Sequence, residues 1–417
     1  MSLNDRLTAI RTGFSPTFWI ANTLELFERL AFYGSKAVLT VFLASKVGLK
    51  EEAGTLAGFF SGLIFFLPIV AGVLVDRYGF RRTLMTCFGI FSFGYFLIGM
   101  AGMEFSQEIV DVIGKKTYVV GVLLLTAVGG SLIKPCIVGT VAKTSKEESR
   151  GLGFSIYYSL VNFGGAIGPI VALQVRQDWG IEYVLVMSSI ISLLLFIGTF
   201  LFFREPEFEK PIGEQRTFGK VFGDMLLVFT NIHFISFLVI FSGFWIMFWQ
   251  IYYLLPFYAT DVLHFEQFEI LETVDAWCII VFSVVVTALI KNMKAFTAMT
   301  IGFVLASLSW VIIGSFESVT AVVVGVGLFA LGEATQAPRF YEYVSSLAPK
   351  EQVGTYMGFA FLPVAIGSFA AGAVADWLRL SYLQQDPAKM WYIVAFIGMV
   401  STALMVLYNQ FFIRKVA

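Results

Sequence analysis

REPEFEKPIGEQRTFGKVFGD, Arg204 to Asp224, is the one long polar stretch in a chain of 417 residues that is 58% hydrophobic, 17% aromatic and only 14% charged. On both sides of it apolar runs recur, each long enough to cross the roughly 30 Å hydrocarbon core of a bilayer. Read against turn and charge punctuation, the runs before it fall near 17–46, 54–76, 83–103, 117–142, 151–176 and 181–203. Those after it fall near 230–260, 268–290, 295–315, 319–347, 352–378 and 390–413. The expected fold is an all-α membrane protein: twelve transmembrane helices in two six-helix bundles, 1–203 and 230–417, joined by a linker over 204–229.

A mean hydropathy of +0.82 excludes an ordinary soluble domain. A net charge of −1 implies neither nucleic acid nor an anionic surface as partner. Cys87, Cys136 and Cys278 lie in apolar runs without metal-ligand spacing, so they read as buried thiols, with no disulfide framework and no metal site. The first residues, MSLNDRLTAIRTGFSPTFW, show no apolar core followed by a small-residue cleavage site, and the first helix is expected to stay. Basic loop residues set the orientation. Arg6, Arg11, Arg77, Arg81, Arg82, Lys143, Lys146, Arg150, Arg204, Lys210, Arg216, Lys220, Lys291, Lys294, Lys350, Arg414 and Lys415 fall on one side, whereas Lys46, Lys50, Lys115, Lys116, Arg176, Arg379 and Lys389 fall on the other. Both termini are therefore expected in the cytoplasm, in a plasma or bacterial inner membrane.

Charges inside the runs are the functional signal. In LELFERLAFYGSK, Leu24 to Lys36, the residues Glu25, Arg29, Phe32 and Lys36 share one helical stripe, with Glu28 one step aside. An isolated charge there costs several kcal/mol, so these side chains are expected to face protein. The i,i+4 pair of Glu25 and Arg29 accounts for only two of the four. Lys134, Asp275 and Glu333 are further charges within runs, and Arg339 and Glu342 lie nearer a helix end. Lys134 and Glu333, one per half and opposite in sign, suit a zwitterion whose carboxylate and amine are separated by a short backbone. Two six-helix halves on a cytoplasmic linker are the layout of a carrier that rocks around a midplane site.

GVLVDRYGFRR, Gly72 to Arg82, resembles the loop signature of the major facilitator superfamily. The resemblance implies that Asp76, Arg77, Arg81 and Arg82 form a gating loop that locks cytoplasmic helix ends. ELFERLAFYG on the first run is similar to the first-helix signature of the proton-dependent oligopeptide transporter family within that superfamily. FSIYYSLVNFGGAIGP (154–169), GEATQAPRFYEYVSSLAPKEQVGTYMGFAFL (332–362) and IKP (133–135) look like its fifth, tenth to eleventh and fourth helices. The resemblance implies proton coupling by Glu25, Glu28 and Arg29. It implies a substrate pocket that includes Tyr33, Lys36, Lys134, Asn162 and Glu333, with Lys134 near a peptide carboxylate and Glu333 on its amine. No cofactor is implied beyond protons as the coupling ion.

The chain departs from that pattern at several places. Lys36 stands for an arginine, Trp249 for an acid that pairs with it, Asp275 for an asparagine, and Ala360 for a pocket tryptophan. The linker is too short for the two extra helices of many bacterial members. An acid lost from the seventh helix and regained at Asp275 suggests that Asp275 pairs with Lys36. Trp245, Trp249, Tyr157, Tyr158, Phe65 and Phe66 are candidates for the pocket lining. GVGLFA (325–330) mimics a dinucleotide fingerprint but lies inside an apolar run, and His233 and His264 fall near run ends, so none is assigned chemistry. The sequence points to a proton-coupled importer of di- and tripeptides, functional as a monomer in the lipid bilayer and not an enzyme. A carrier of another small solute and a non-transporting sensor remain as alternatives.

Overall fold

The computed structural model describes residues 12–206, 218–347 and 353–413. The first span is α1 (Pro16–Val41), extended by a π-helical turn at Phe42–Lys46. The second is broken into α2 (Ala53–Phe66) and α3 (Pro68–Tyr78), which meet at 47°. α4 (Phe80–Met100) is the third, and after the short α5 (Gln107–Ile113) the fourth is broken into α6 (Lys115–Gly130) and α7 (Ile133–Thr144). α8 (Arg150–Asp178) and α9 (Ile181–Phe202) complete six. Of the segment read as the linker, 207–217 lies outside the described residues, and Phe218–Phe229 forms a helix, α10. The second six are α11 (Ile232–Tyr253) with α12 (Leu255–Asp261), α13 (Phe268–Ile290), α14 (Ala295–Ser315), α15 (Val319–Leu347), α16 (Val353–Phe359) with α17 (Leu362–Tyr382), and α18 (Pro387–Tyr408).

Ten of these spans are long and apolar enough to cross a membrane by composition alone, and the bent second span makes eleven. α1 completes twelve; its four charges, Glu25, Glu28, Arg29 and Lys36, set it apart from the others. Large apolar side chains stay exposed along the helices, among them Leu194 at 61%, Val284 at 77% and Leu289 at 70%. Such a surface is stable only against lipid. This is an integral membrane protein.

Proline sets three of the breaks. Pro68, Pro256 and Pro363 each stand in the first turn of a new helix, where the missing N–H costs nothing and the fixed φ starts the next segment. Gly79, at φ +82°, makes the tight turn between α3 and α4 that a side chain would strain.

The chain packs as two compact units, Met1–Ser35 with Leu67–Val221, and Lys36–Phe66 with Phe222–Ala417. α1 passes from the first to the second after Ser35, and the second span returns at the Leu67 break. In the first unit α9 packs on α4, α4 on α6, and α8 on α7 and α9. In the second, α14 packs on α15 and α18, α13 on α15, and α17 on both α2 and α11. The second unit has an aromatic centre: Phe241 stacks on Phe340 at 4.2 Å, and Trp310 on Trp391 at 5.0 Å.

Lipid tails are as apolar as leucine, so helices in a membrane associate through close packing between small residues. The contact of α14 with α15 shows this. A Cβ placed on Gly302 would lie 2.6 Å from the Gly332 carbonyl oxygen. Gly302→Val is therefore expected to cost about 1–3 kcal/mol through overpacking. A thermal melt in detergent checks it, with Gly121→Ala, a position with open space around it, expected not to lower Tm.

Candidate functional site

In the first unit, α1 and α8 approach closely because α8 offers glycine where α1 presses on it. A Cβ on Gly164 would meet the Arg29 Cβ at 2.7 Å, and one on Gly168 the Leu30 carbonyl at 2.5 Å. This approach assembles a buried polar chain. The Lys134 ammonium donates to the Tyr157 hydroxyl at 3.2 Å, and that hydroxyl donates to Glu25 Oε1 at 3.3 Å. Arg29 Nε lies 3.5 Å from the same Glu25 oxygen and donates to Glu28 Oε2. Lys134 Nζ also lies 3.9 Å from Glu25.

Glu25, Glu28 and Arg29 are all at most 2% exposed, whereas the Lys134 side chain keeps 20% of its surface. The chain thus runs from a partly accessible lysine to a sealed carboxylate pair. With all four ionised, two cations balance two anions. One oxygen of each carboxylate, Glu25 Oε2 and Glu28 Oε1, has no hydrogen-bond partner among the described residues.

The other first-unit candidates lie around this chain or apart from it. The Tyr33 ring packs over Gly165, where an added Cβ would sit 3.4 Å from it. Asn162 is half-buried and donates to the Tyr158 carbonyl of its own helix at 2.9 Å. In the loop expected to act as a gate, Asp76, Arg77 and Arg82 are exposed, while Arg81 reaches the Phe200 carbonyl. The acid that organises this turn is Glu205, which accepts from the Phe80 and Arg81 N–H groups at 2.7 and 2.8 Å and so caps α4. Its place directly after the sixth span, in REPEFEK, gave no hint of that partner.

The second unit holds Lys36, Trp249, Asp275 and Glu333. Lys36 is 3% exposed, and its ammonium lies 3.8 Å from the Trp249 ring centroid and 3.6 Å from that of Tyr252. Trp249 is held in place: its Nε1 donates to the Val364 carbonyl at 3.2 Å, and its ring stacks on Tyr253 at 5.5 Å and 8°. The Trp249 indole thus supplies the negative face of a ring, worth about 2 kcal/mol or more when desolvated.

Asp275 is buried, not solvated at a helix end, and Lys36 acts on it electrostatically. Glu333 is half-buried and lies within electrostatic range of both Lys36 and Asp275. Sequence reading passed over two further acids here. Glu269, Glu272 and Asp275 recur every third residue, on one side of α13, at 0%, 1% and 6% exposure. The spacing in FEILETVDAW was the available signal, and only Asp275 was singled out from it. Both Glu272 oxygens, Asp275 Oδ1 and Glu333 Oε2 lack a hydrogen-bond partner among the described residues. Arg339, by contrast, has a structural place: it donates to the Ile290 and Lys291 carbonyls at the end of α13 and to Glu342. Ala360 is fully buried.

Twelve spans that bury acids and bases among them define a membrane carrier, and residues 24–372 match the Major Facilitator Superfamily. The chain belongs to that superfamily, whose members are transporters and not enzymes. Dipeptide and tripeptide permease A of Enterobacter sp. (strain 638) is 28% identical over 223 residues, which are 50% of this chain and 42% of the permease. The permease of that name from Escherichia coli (strain K12) is 27% identical over 224 residues, again 42% of its length. In these alignments the chain therefore spans less than half of the permease. The permease A of Cronobacter turicensis aligns over 448 residues at 22% identity, covering 89% of this chain and 86% of its own. Among solved structures, a POT family transporter in complex with 5-aminolevulinic acid superposes with a TM-score of 0.78 at 16% identity, over 94% of this chain and 96% of that one. The peptide transporter POT in complex with sulfate gives 0.77 at 16%, over 94% of each chain. These two likenesses speak to the fold.

The charge balance of the first unit yields a test. Arg29→Leu strands two buried carboxylates and is expected to cost about 3–5 kcal/mol. Adding Glu28→Leu is expected to recover part of that loss, as partners in one network are not additive. Thermal melts of the single and double variants in detergent measure both.

Proposed function

We propose that this protein is a proton-coupled importer of di- and tripeptides that works by alternating access, as a monomer, in the plasma or bacterial inner membrane. In this reading both termini are cytoplasmic, protons are the coupling ion, no cofactor takes part, and the moving bodies are the bundles 1–203 and 230–417 with 204–229 as their linker. The names and folds of the relatives support the substrate class. The observation that carries the mechanism is the buried chain from Lys134 through Tyr157 and Glu25 to Arg29 and Glu28.

Its chemistry follows from neutrality. Two cations and two anions cancel, so one proton taken up by the Glu25/Glu28 pair leaves a single net positive charge in a low-dielectric site. A substrate carboxylate neutralises that charge, and Lys134, the partly accessible member, is the group to meet it. Proton and peptide then favour each other's binding, as coupled transport requires. Glu333, with an unpartnered carboxylate oxygen, receives the substrate amine, and Asp275 beside it adds to the negative potential. Tyr33, Asn162, Lys36 and Trp249 shape the pocket, and Asp76, Arg77, Arg81 and Arg82 form the gating loop.

A second reading, a carrier of another small zwitterion, is favoured by one observation. Lys36 is enclosed by Trp249 and Tyr252 and so is drawn away from a peptide carboxylate. Uptake of labelled dialanine and trialanine into proteoliposomes, with and without an imposed pH gradient, decides between the two. Accumulation that depends on the gradient is expected, and the absence of uptake of either peptide excludes the peptide reading.

Glu25→Gln and Glu28→Gln fix the net positive charge without a proton. Each is expected to abolish accumulation against a gradient while retaining counterflow, measured in the same vesicles. Lys134→Ala and Glu333→Ala are each expected to lose binding, at a cost of about 3–5 kcal/mol where a buried charge is left unpaired. A titration of peptide against each purified variant checks this.

A further inference from the structure

α2 belongs to the second unit, where it runs against α17 and meets its backbone at glycines. A Cβ on Gly54 would lie 2.8 Å from the Gly372 carbonyl oxygen, and one on Gly58 2.6 Å from that of Ser368. Backbones this close leave little room for water. The first N–H groups of a helix have no partner within it, and here they are met from another helix. Asp376 of α17, 5% exposed, accepts from the Gly54 N–H at 2.8 Å through Oδ1 and from the Thr55 N–H at 2.7 Å through Oδ2.

The carboxylate also meets the positive end of the α2 dipole. Arg379, one turn further along α17, lies 3.6 Å from Asp376 and over the Phe257 ring at 4.5 Å, which fixes the carboxylate's direction. Deeper along the same seam, Ser368 donates to the Gly58 carbonyl, and the Tyr253 hydroxyl shares a hydrogen bond with Ser368 and lies 3.3 Å from the Ala57 carbonyl.

We propose that Asp376 is a positioning residue of the transport cycle: by capping α2 from α17, its carboxylate sets how often the α2–α17 seam opens. The proposal rests on the transport reading for its meaning and on these contacts for its geometry. Opening exchanges two charge-assisted hydrogen bonds for water, and it also parts the neutral Ser368–Gly58 hydrogen bond and the Phe369 ring packed against Gly62. The charge-assisted ties, the strong ones across the seam, are therefore at its end. A neutral amide at 376 offers one acceptor where the carboxylate offers two, and alanine offers none.

The test is labelling by a membrane-impermeant maleimide of the full chain in membranes, with Cys278→Ser removing the one partly exposed native thiol. Ser61→Cys, on α2 and 1% exposed, reports the seam, and Ser307→Cys, fully buried in α14, reports general loosening. In the Asp376→Ala background, labelling at 61 is expected to rise about tenfold, the size of a lost cap, with 307 unlabelled. Asp376→Asn is expected to give a smaller rise and keeps the test open if the alanine variant does not fold. An unchanged rate at 61 in Asp376→Asn or Asp376→Ala overturns the proposal, as does parallel labelling at 307. Labelling needs no substrate, so failure of the transport reading, seen as absent peptide uptake, is told apart from failure of the latch.

Discussion

Charge neutrality in a medium that does not solvate ions is the constraint on which the rest of the structure depends. Arg29 sits in the middle of a membrane-spanning helix at 2% exposure, and it is tolerable there only because Glu25 and Glu28 lie one turn and one residue away on the same helix. Lys134 and Tyr157 complete the balance from α7 and α8. Their reach is short, which obliges α8 to lie against α1, and glycines at 164 and 168 make that possible. The same neutrality that keeps the site stable makes it responsive, because any added proton upsets it.

The second unit holds its buried cation by other means. Lys36 is stabilised by the faces of Trp249 and Tyr252, whose quadrupoles carry no net charge. Acids collect nearby on α13 and α15, with oxygens that no described donor satisfies. One unit thus holds a closed, self-balanced set and the other an acidic set near a cation held by rings.

The twelve spans were legible because lipid demands about twenty apolar residues per crossing, a signal that survives without any neighbour information. The four charges of α1 were legible as inward-facing for the same reason, and all of them are buried. Contacts were harder. Lys36 was matched only against possible counter-charges, so an aromatic partner at Trp249 was missed. Glu269 and Glu272 were hidden by their nearness to the start of a helix, where charge is normally solvated. The cap of Gly54 by Asp376 joins residues 322 positions apart, and nothing in either local sequence announces the other. Hydropathy also gives no neighbours, so the packing of 36–66 with the second unit was not visible in the sequence.

The central claim is that proton and substrate meet at one neutral cluster, and it is tested most directly by watching the proton. Vesicles containing the purified protein, loaded with a pH-sensitive dye and given an inward dialanine gradient without any pH gradient, report whether peptide entry carries protons. The account predicts acidification of the lumen that follows peptide entry. Dialanine entry with no change of internal pH would contradict it.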